Sequence, residues 1–228
     1  LTPTTMPHNL STRTGRLLAW LDMHLVDHGV IRAVYNNFHA LGGGMYRLSQ
    51  PSPAQIRRYQ RTHGIKTIVN LRGSNGYGSY ALEAEACHEL GIKLVDLRMY
   101  SRQPPTVELL DETKALFDRI EYPALMHCKS GADRAGLGSA LYKHFRLGVP
   151  IAELRELSPR YGHFNFGATA VLDYFFARYL ADNARQPIAF IDWVHTRYDK
   201  LALHADFVRE RKERSMGDWF VDKVLRRE

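Results

Sequence analysis

Between residues 65 and 147 the sequence alternates short apolar runs with helical patterns, and this alternation is its tightest constraint on fold. "KTIVNL", "IKLVDLRMY" and "PALMHC" read as strands. Between them, "YALEAEACHEL" is a helix stopped by Gly91, and "VELLDETKALFDRI" aligns Val107, Leu110, Phe117 and Ile120 on one helical face. Just upstream, Ser52 and Gln55 bracket Pro53 as a capping-box start for a helix that reaches about His63, with Gly64 as its stop. Such a succession predicts an α/β fold: a short, mainly parallel sheet flanked by helices, with right-handed crossovers. Ligands of such sheets bind beyond the carboxyl ends of the strands, where the loops "RGSNGYGS", "SRQPPT" and "CKSGADR" gather.

Outside this block the patterns are simpler. "RLLAWLDMHLVDHGV" sets Leu17, Leu18, Leu21 and Leu25 at helical spacing, which predicts an amphipathic surface helix ending at Gly29. "NNFHALGGGMYRLSQPSP" reads as extended chain that turns at its glycines. From Ala135 onward the chain reads as helices over 134–147, with Gly148 as cap, then 150–158, 168–182 and about 188–204, with a last helix from Asp218. The expected organisation is an N-terminal extension with its amphipathic helix over 1–40, a central domain over 41–182, and a helical extension over 183–228 packed on that domain. In the last piece Trp219, Phe220 and Val224 stand beside Lys223, Arg226 and Arg227, the pattern of a packed terminal helix with a solvated basic edge or of one lying on a membrane surface.

Composition narrows the partners. With 45% hydrophobic and 24% charged residues the chain is globular, and no uninterrupted apolar run reaches the roughly 18 residues of a membrane span. A net charge of +7 favours acidic or phosphorylated partners without choosing among them. Only Cys87 and Cys128 are present, too few for a disulfide framework, so a reducing, cytoplasmic setting is expected. The chain opens on Leu1, which is compatible with an upstream signal having been removed. The histidines show no tight metal-ligand spacing, and neither a metal nor a cofactor is expected.

The chemistry concentrates in "MHCKSGADRAGLGSALY", residues 126–142. A cysteine attacks as its thiolate, and the unpaired amides and macrodipole at a helix start favour negative charge there. The same amides can cradle phosphate oxygens, provided the loop of Lys129, Ser130, Gly131 and Ala132 curls tightly; Gly131 permits that curl. Arg134 then offers a planar fork to two of those oxygens. Nucleophile and anion cradle share one loop, which suits phosphate-ester cleavage through a cysteinyl-phosphate intermediate.

"HCKSGADR" resembles the signature of the cysteine-dependent protein tyrosine phosphatases, a His-Cys pair followed by five residues and an Arg, and the strand and helix order resembles their dual-specificity branch. "GMYRLSQPSPAQIRRYQRTHGIKTIVNLRG" is similar to the opening of bacterial and fungal atypical members, so the likeness spans roughly residues 44–160. It implies that Cys128 is the nucleophile, that Arg134 grips phosphate and that His127 supports the loop. Two departures stand out. The family's acid is usually an aspartate on the loop after the third strand, here "SRQPPT", which contains none. Asp133 is the better candidate, because myotubularin-like lipid phosphatases and a secreted mycobacterial-type group also carry aspartate there; Asp96, inside a strand, is the weaker one. Ala135 also stands where many relatives place Ser or Thr.

Lys129, Arg102 and Arg72 are expected to extend the positive field toward substrate. Cys87 reads as core, with a reversible disulfide to Cys128, as in some relatives, as the alternative. The resemblance implies a phosphorylated protein as substrate, or else a phospholipid or inositol phosphate with peripheral membrane contact, and no nucleic acid. Phosphate binding without turnover is the third reading.

Overall fold

The computed structural model describes residues 9–27 and 36–225. Among these residues five strands form one sheet: β1 (His39–Gly42), β2 (Met45–Ser49), β3 (Thr67–Asn70), β4 (Lys93–Asp96) and β5 (Ala124–Cys128), in the order β1-β2-β5-β3-β4. Every pairing is parallel except that of the hairpin β1–β2, whose turn at Gly43 and Gly44 meets the expectation for the triple glycine. The strand carrying the cysteine is therefore central, flanked by β2 and β3.

Among the described residues eight α-helices accompany the sheet: α1 (Arg13–Leu21), α2 (Pro53–His63), α3 (Gly78–Leu90), α4 (Val107–Arg119), α5 (Asp133–Leu147), α6 (Val171–Arg185), α7 (Phe190–Thr196) and α8 (Lys200–Leu225). Strand alternation assigns the two faces. Ala124, Met126 and Cys128 of β5 join the larger core, with Leu116 and Phe117 of α4, Leu137 and Leu141 of α5, Phe175 of α6, Trp193 of α7 and Phe207 of α8. Leu125 joins the smaller core, with Ile56 and Tyr59 of α2 and Ala86 and Cys87 of α3. The fold is thus the α/β arrangement that the alternation predicts.

Local signals explain the element ends. Ser52 and Gln55 form the reciprocal capping box of α2, and Gly64, Gly91 and Gly148 close α2, α3 and α5 in left-handed conformations. Several expectations need correction. β4 ends at Asp96, so 97–100 is not strand. The 150–158 segment forms only a short 3-10 turn, Ile151–Glu153. The expected 188–204 helix breaks after Thr196, and α8 runs unbroken from Lys200 to Leu225 instead of starting at Asp218.

The first helix buries a different face from the one its leucines mark. Ala19 and Met23 pack with Leu82 of α3, while Leu17, Leu18, Leu21 and Leu25 are exposed, Leu25 by 69%. The helix continues past Leu21 as a π turn over Asp22–Val26. Its expected stop at Gly29, and the side chains of Trp219, Phe220, Lys223, Val224, Arg226 and Arg227, lie outside the described ones. No helix among the described residues is long and apolar enough to cross a membrane.

Candidate active site

Cys128 is the last residue of β5, and α5 begins five residues later at Asp133, so the 128–134 loop joins a buried strand end to a helix start. Amides in that first turn have no acceptor within the helix. Gly131 sits at φ +74° against β2: a Cβ there would lie 2.8 Å from the Leu48 carbonyl carbon and from the Ser49 nitrogen. The loop therefore curls flush against the neighbouring strand, which only glycine allows.

A buried arginine from β2 floors this loop. Arg47 donates from Nη2 to the carbonyls of Gly131 (2.6 Å) and Ala132 (3.2 Å), and from Nη1 to that of Glu156 (3.1 Å). Its guanidinium also lies 4.3 Å from the centre of the Tyr161 ring. With carbonyls drawn down onto a cation, the opposite side of the loop is left to its amides. Asn37 secures the rim, donating to the carbonyls of Ser130 (3.3 Å) and Tyr161 (2.9 Å). Ser130 Oγ lies 3.4 Å from the Ala132 nitrogen, a long intraloop contact.

Behind the cysteine runs a buried polar chain. His127 Nε2 is 2.6 Å from Glu83 Oε1 of α3, both side chains fully buried, and Gln50 donates to the other Glu83 oxygen at 2.7 Å. Arg72 donates to Gln50 Oε1 at 2.9 Å and to both oxygens of Asp27 at 2.7 and 3.0 Å. Asp27 also accepts from Ser79 Oγ at 2.8 Å and faces Lys129 Nζ at 3.3 Å. An acidic residue from the N-terminal segment thus holds two of the cations expected to face substrate. Arg72 is buried in this ion pair, so the expectation that it reaches substrate is corrected.

The acid candidates separate cleanly. Asp96 lies at the end of β4, two strands from Cys128, with one oxygen accepting from Asn70 (2.8 Å) and the other from the Tyr80 hydroxyl (2.6 Å). Those bonds make it a clamp between β3, β4 and α3. Asp133 is the first residue of α5, directly before Arg134, and one of its oxygens is 2.8 Å from His163 Nδ1. His163 Nε2 is 2.7 Å from Asp173 of α6. Burial alone would lower the His163 pKa, but the bonds and charges of Asp133 and Asp173 outweigh it and push it up to about 9. Arg134 has no ion-pair partner among the described residues and is half-buried; Arg102 is exposed on the loop after β4.

The structure thus brings Cys128, Lys129, Ser130, Gly131, Ala132, Asp133 and Arg134 into one loop, with His127 behind it, and leaves Arg72 and Asp96 in structural contacts. Cys87 and Cys128 are free thiols in different cores on opposite faces of the sheet, which argues against the disulfide alternative. Burial and the Glu83 charge raise the Cys87 pKa, as suits an inert core thiol. Among the described residues no group of three or more His, Cys, Asp or Glu side chains gathers as metal ligands would. Sequence reasoning missed Asp27, Arg47, Glu83 and His163, which the fold brings in from other elements.

Comparison with known proteins bears on the family and the fold. A family model described as a dual-specificity-type protein tyrosine phosphatase domain fused to NAD+ kinase matches residues 43–156, half of the chain. No curated protein matches. Among solved structures, TpbA of P. aeruginosa is 17% identical over 74% of this chain and 91% of its own, with a TM-score of 0.51. A variant of TpbA with serine in place of a cysteine, in complex with phosphotyrosine, is 19% identical over 73% and 90% of the two chains, with a TM-score of 0.50. The catalytic core of the S. cerevisiae PP-IP phosphatase Siw14, in complex with citrate, is 21% identical over 68% and 96%, with a TM-score of 0.49.

Proposed function

The chain belongs to the cysteine-dependent protein tyrosine phosphatase superfamily, in its atypical dual-specificity-like branch, and we propose that it hydrolyses phosphomonoesters through Cys128. In this reading the Cys128 thiolate attacks phosphorus in line, the S–P bond forms and the ester P–O bond breaks. Asp133 gives its proton to the departing oxygen. The loop amides and Arg134 hold the three equatorial oxygens throughout. Water then attacks the cysteinyl phosphate, Asp133 takes back a proton, and the thiolate and inorganic phosphate leave.

The observation that carries the proposal is the loop itself: a strand-end cysteine, a left-handed glycine pressed on β2, carbonyls turned down onto Arg47, and Arg134 in the first helical turn. Asp27 refines the substrate class. By holding Arg72 and facing Lys129 it removes positive charge that a second phosphate would need, which favours singly phosphorylated esters such as phosphotyrosine. Hydrolysis of phospholipid or inositol phosphates is the second reading, supported by the exposed leucines of α1, a surface suited to an interface.

Phosphate release from a phosphotyrosine peptide, phenyl phosphate and phosphoinositide vesicles tests both. Wild type is expected to prefer the peptide, and Cys128→Ser to lose turnover on every substrate. A preference of about 100-fold for vesicles, worth about 2.7 kcal/mol, would select the second reading. Phosphate binding without turnover in wild type would sink both and leave a phosphate-binding protein. Ala135, without a hydroxyl, motivates that control.

A further inference from the structure

His163 is a buried group outside the 128–134 loop whose partner Asp133 stands within it. It follows the 3-10 turn Pro159–Tyr161 and Gly162, and its side chain is 1% exposed. Both ring nitrogens face carboxylates: Nδ1 faces Asp133 at 2.8 Å, and Nε2 faces Asp173 at 2.7 Å. A neutral imidazole has one N–H and satisfies one such acceptor, so two ionised carboxylates at these distances call for the doubly protonated ring. The upward shift of the His163 pKa agrees with that count.

Asp133 and Asp173 both stand in first helical turns. They are the ionisable groups that face the ring. Arg47 of β2 and Arg160 of the loop both lie over Tyr161, two residues before the histidine. The ring is a cation fixed between the starts of α5 and α6.

We propose that His163 is a positioning residue for proton transfer: it fixes the Asp133 carboxyl by one oxygen and stores the proton that Asp133 delivers. The proposal rests on the reading of Asp133 as the acid. In the first step His163 Nδ1 gives its proton to the Asp133 carboxylate and a carboxyl proton passes to the leaving oxygen, while the S–P bond forms and the P–O bond breaks. In the second, the attacking water forms a P–O bond and gives one proton to the Asp133 carboxylate, which passes a proton back to the imidazole, while the S–P bond breaks. One proton leaves and one returns, so the pair ends as it began.

The consequence is a dependence on leaving group and on pH. A nitrophenolate departs without help, whereas phenolate needs a proton. Rates on phenyl and p-nitrophenyl phosphate, followed from pH 5 to 10, are compared for wild type, His163→Asn, Asp173→Asn and Asp133→Asn. In His163→Asn the ratio of phenyl to p-nitrophenyl turnover is expected to fall by about 10-fold or more, within the range of general-acid effects. The alkaline limb of the phenyl profile, expected near pH 9 in wild type, should move down in Asp173→Asn, where one of the two carboxylates holding the cation is gone.

Equal losses on both esters in His163→Asn, or an unmoved limb in Asp173→Asn, would overturn the proposal and leave His163 a structural clamp. Should His163→Asn fail to fold, the Asp173→Asn limb decides alone. Asp133→Asn separates the two readings. Full activity of that variant on phenyl phosphate removes the acid assignment itself, whereas its loss beside an unaffected His163→Asn removes only the role given to the histidine.

Discussion

At Gly131 there is no room for a methyl group. The added carbon would press on the backbone of Leu48 and Ser49, which cannot swing aside as a side chain can, and the left-handed φ adds a further penalty of about 1–2 kcal/mol. Gly131→Ala is expected to lift the loop off β2, lowering the melting temperature and cutting phosphate release by about 10-fold or more. His163 adds a pH term to stability. Its folded pKa, about 9, lies above the ordinary value of 6.5, so the stabilisation is full below about pH 6.5 and fades as pH rises through 9. Urea midpoints measured from pH 6 to 10 should fall over that window, and the fall should be absent in His163→Asn. Cys128, Gly131 and Arg134 were legible in the sequence because one short loop holds them. His163 was not: its meaning lies in two aspartates from other helices, and the segment "SPRYGHFNFG" carries no spacing that announces them.

Among the elements, β2 does more than pair with β5. It sends Arg47 under the loop, where a buried guanidinium meets three backbone carbonyls. Replacing it with methionine keeps an unbranched apolar stem and removes the donors; Arg47→Met should cost about 3 kcal/mol in chemical denaturation and loosen the loop. Elements with their own punctuation were readable, as the capping box of α2 and the glycine stops of α2, α3 and α5 show. The 150–158 segment was not, because tertiary contacts override its helical pattern. Its Glu156 carbonyl is drawn to Arg47, and Leu157 sits on α5 where a Cβ at Gly136 would lie 2.6 Å from it. The break before α8 did have a signal: Asp199 caps the new helix, accepting from the amides of Leu201 and Ala202. In α1 the leucine spacing marked a helix correctly and its buried face wrongly, since helical spacing cannot say which side another helix will cover.

Across the whole molecule, the net charge of +7 sets how an anionic ester arrives. Raising salt from about 0.05 to 0.5 M shortens the screening length to a few ångströms, so kcat/KM for a phosphopeptide should drop while kcat holds. Stopped-flow binding at the two salt concentrations would place the loss in the association rate. The ion pair between Asp27 and Arg72 ties the segment before the sheet to the loop after β3. Anyone trimming the protein to the residues that resemble its relatives would begin near residue 43 and discard that aspartate. The shortened chain would keep every group that touches phosphate and yet strand a guanidinium in its interior, so expression trials of a minimal version should give a poorly folding product that Arg72→Met partly rescues.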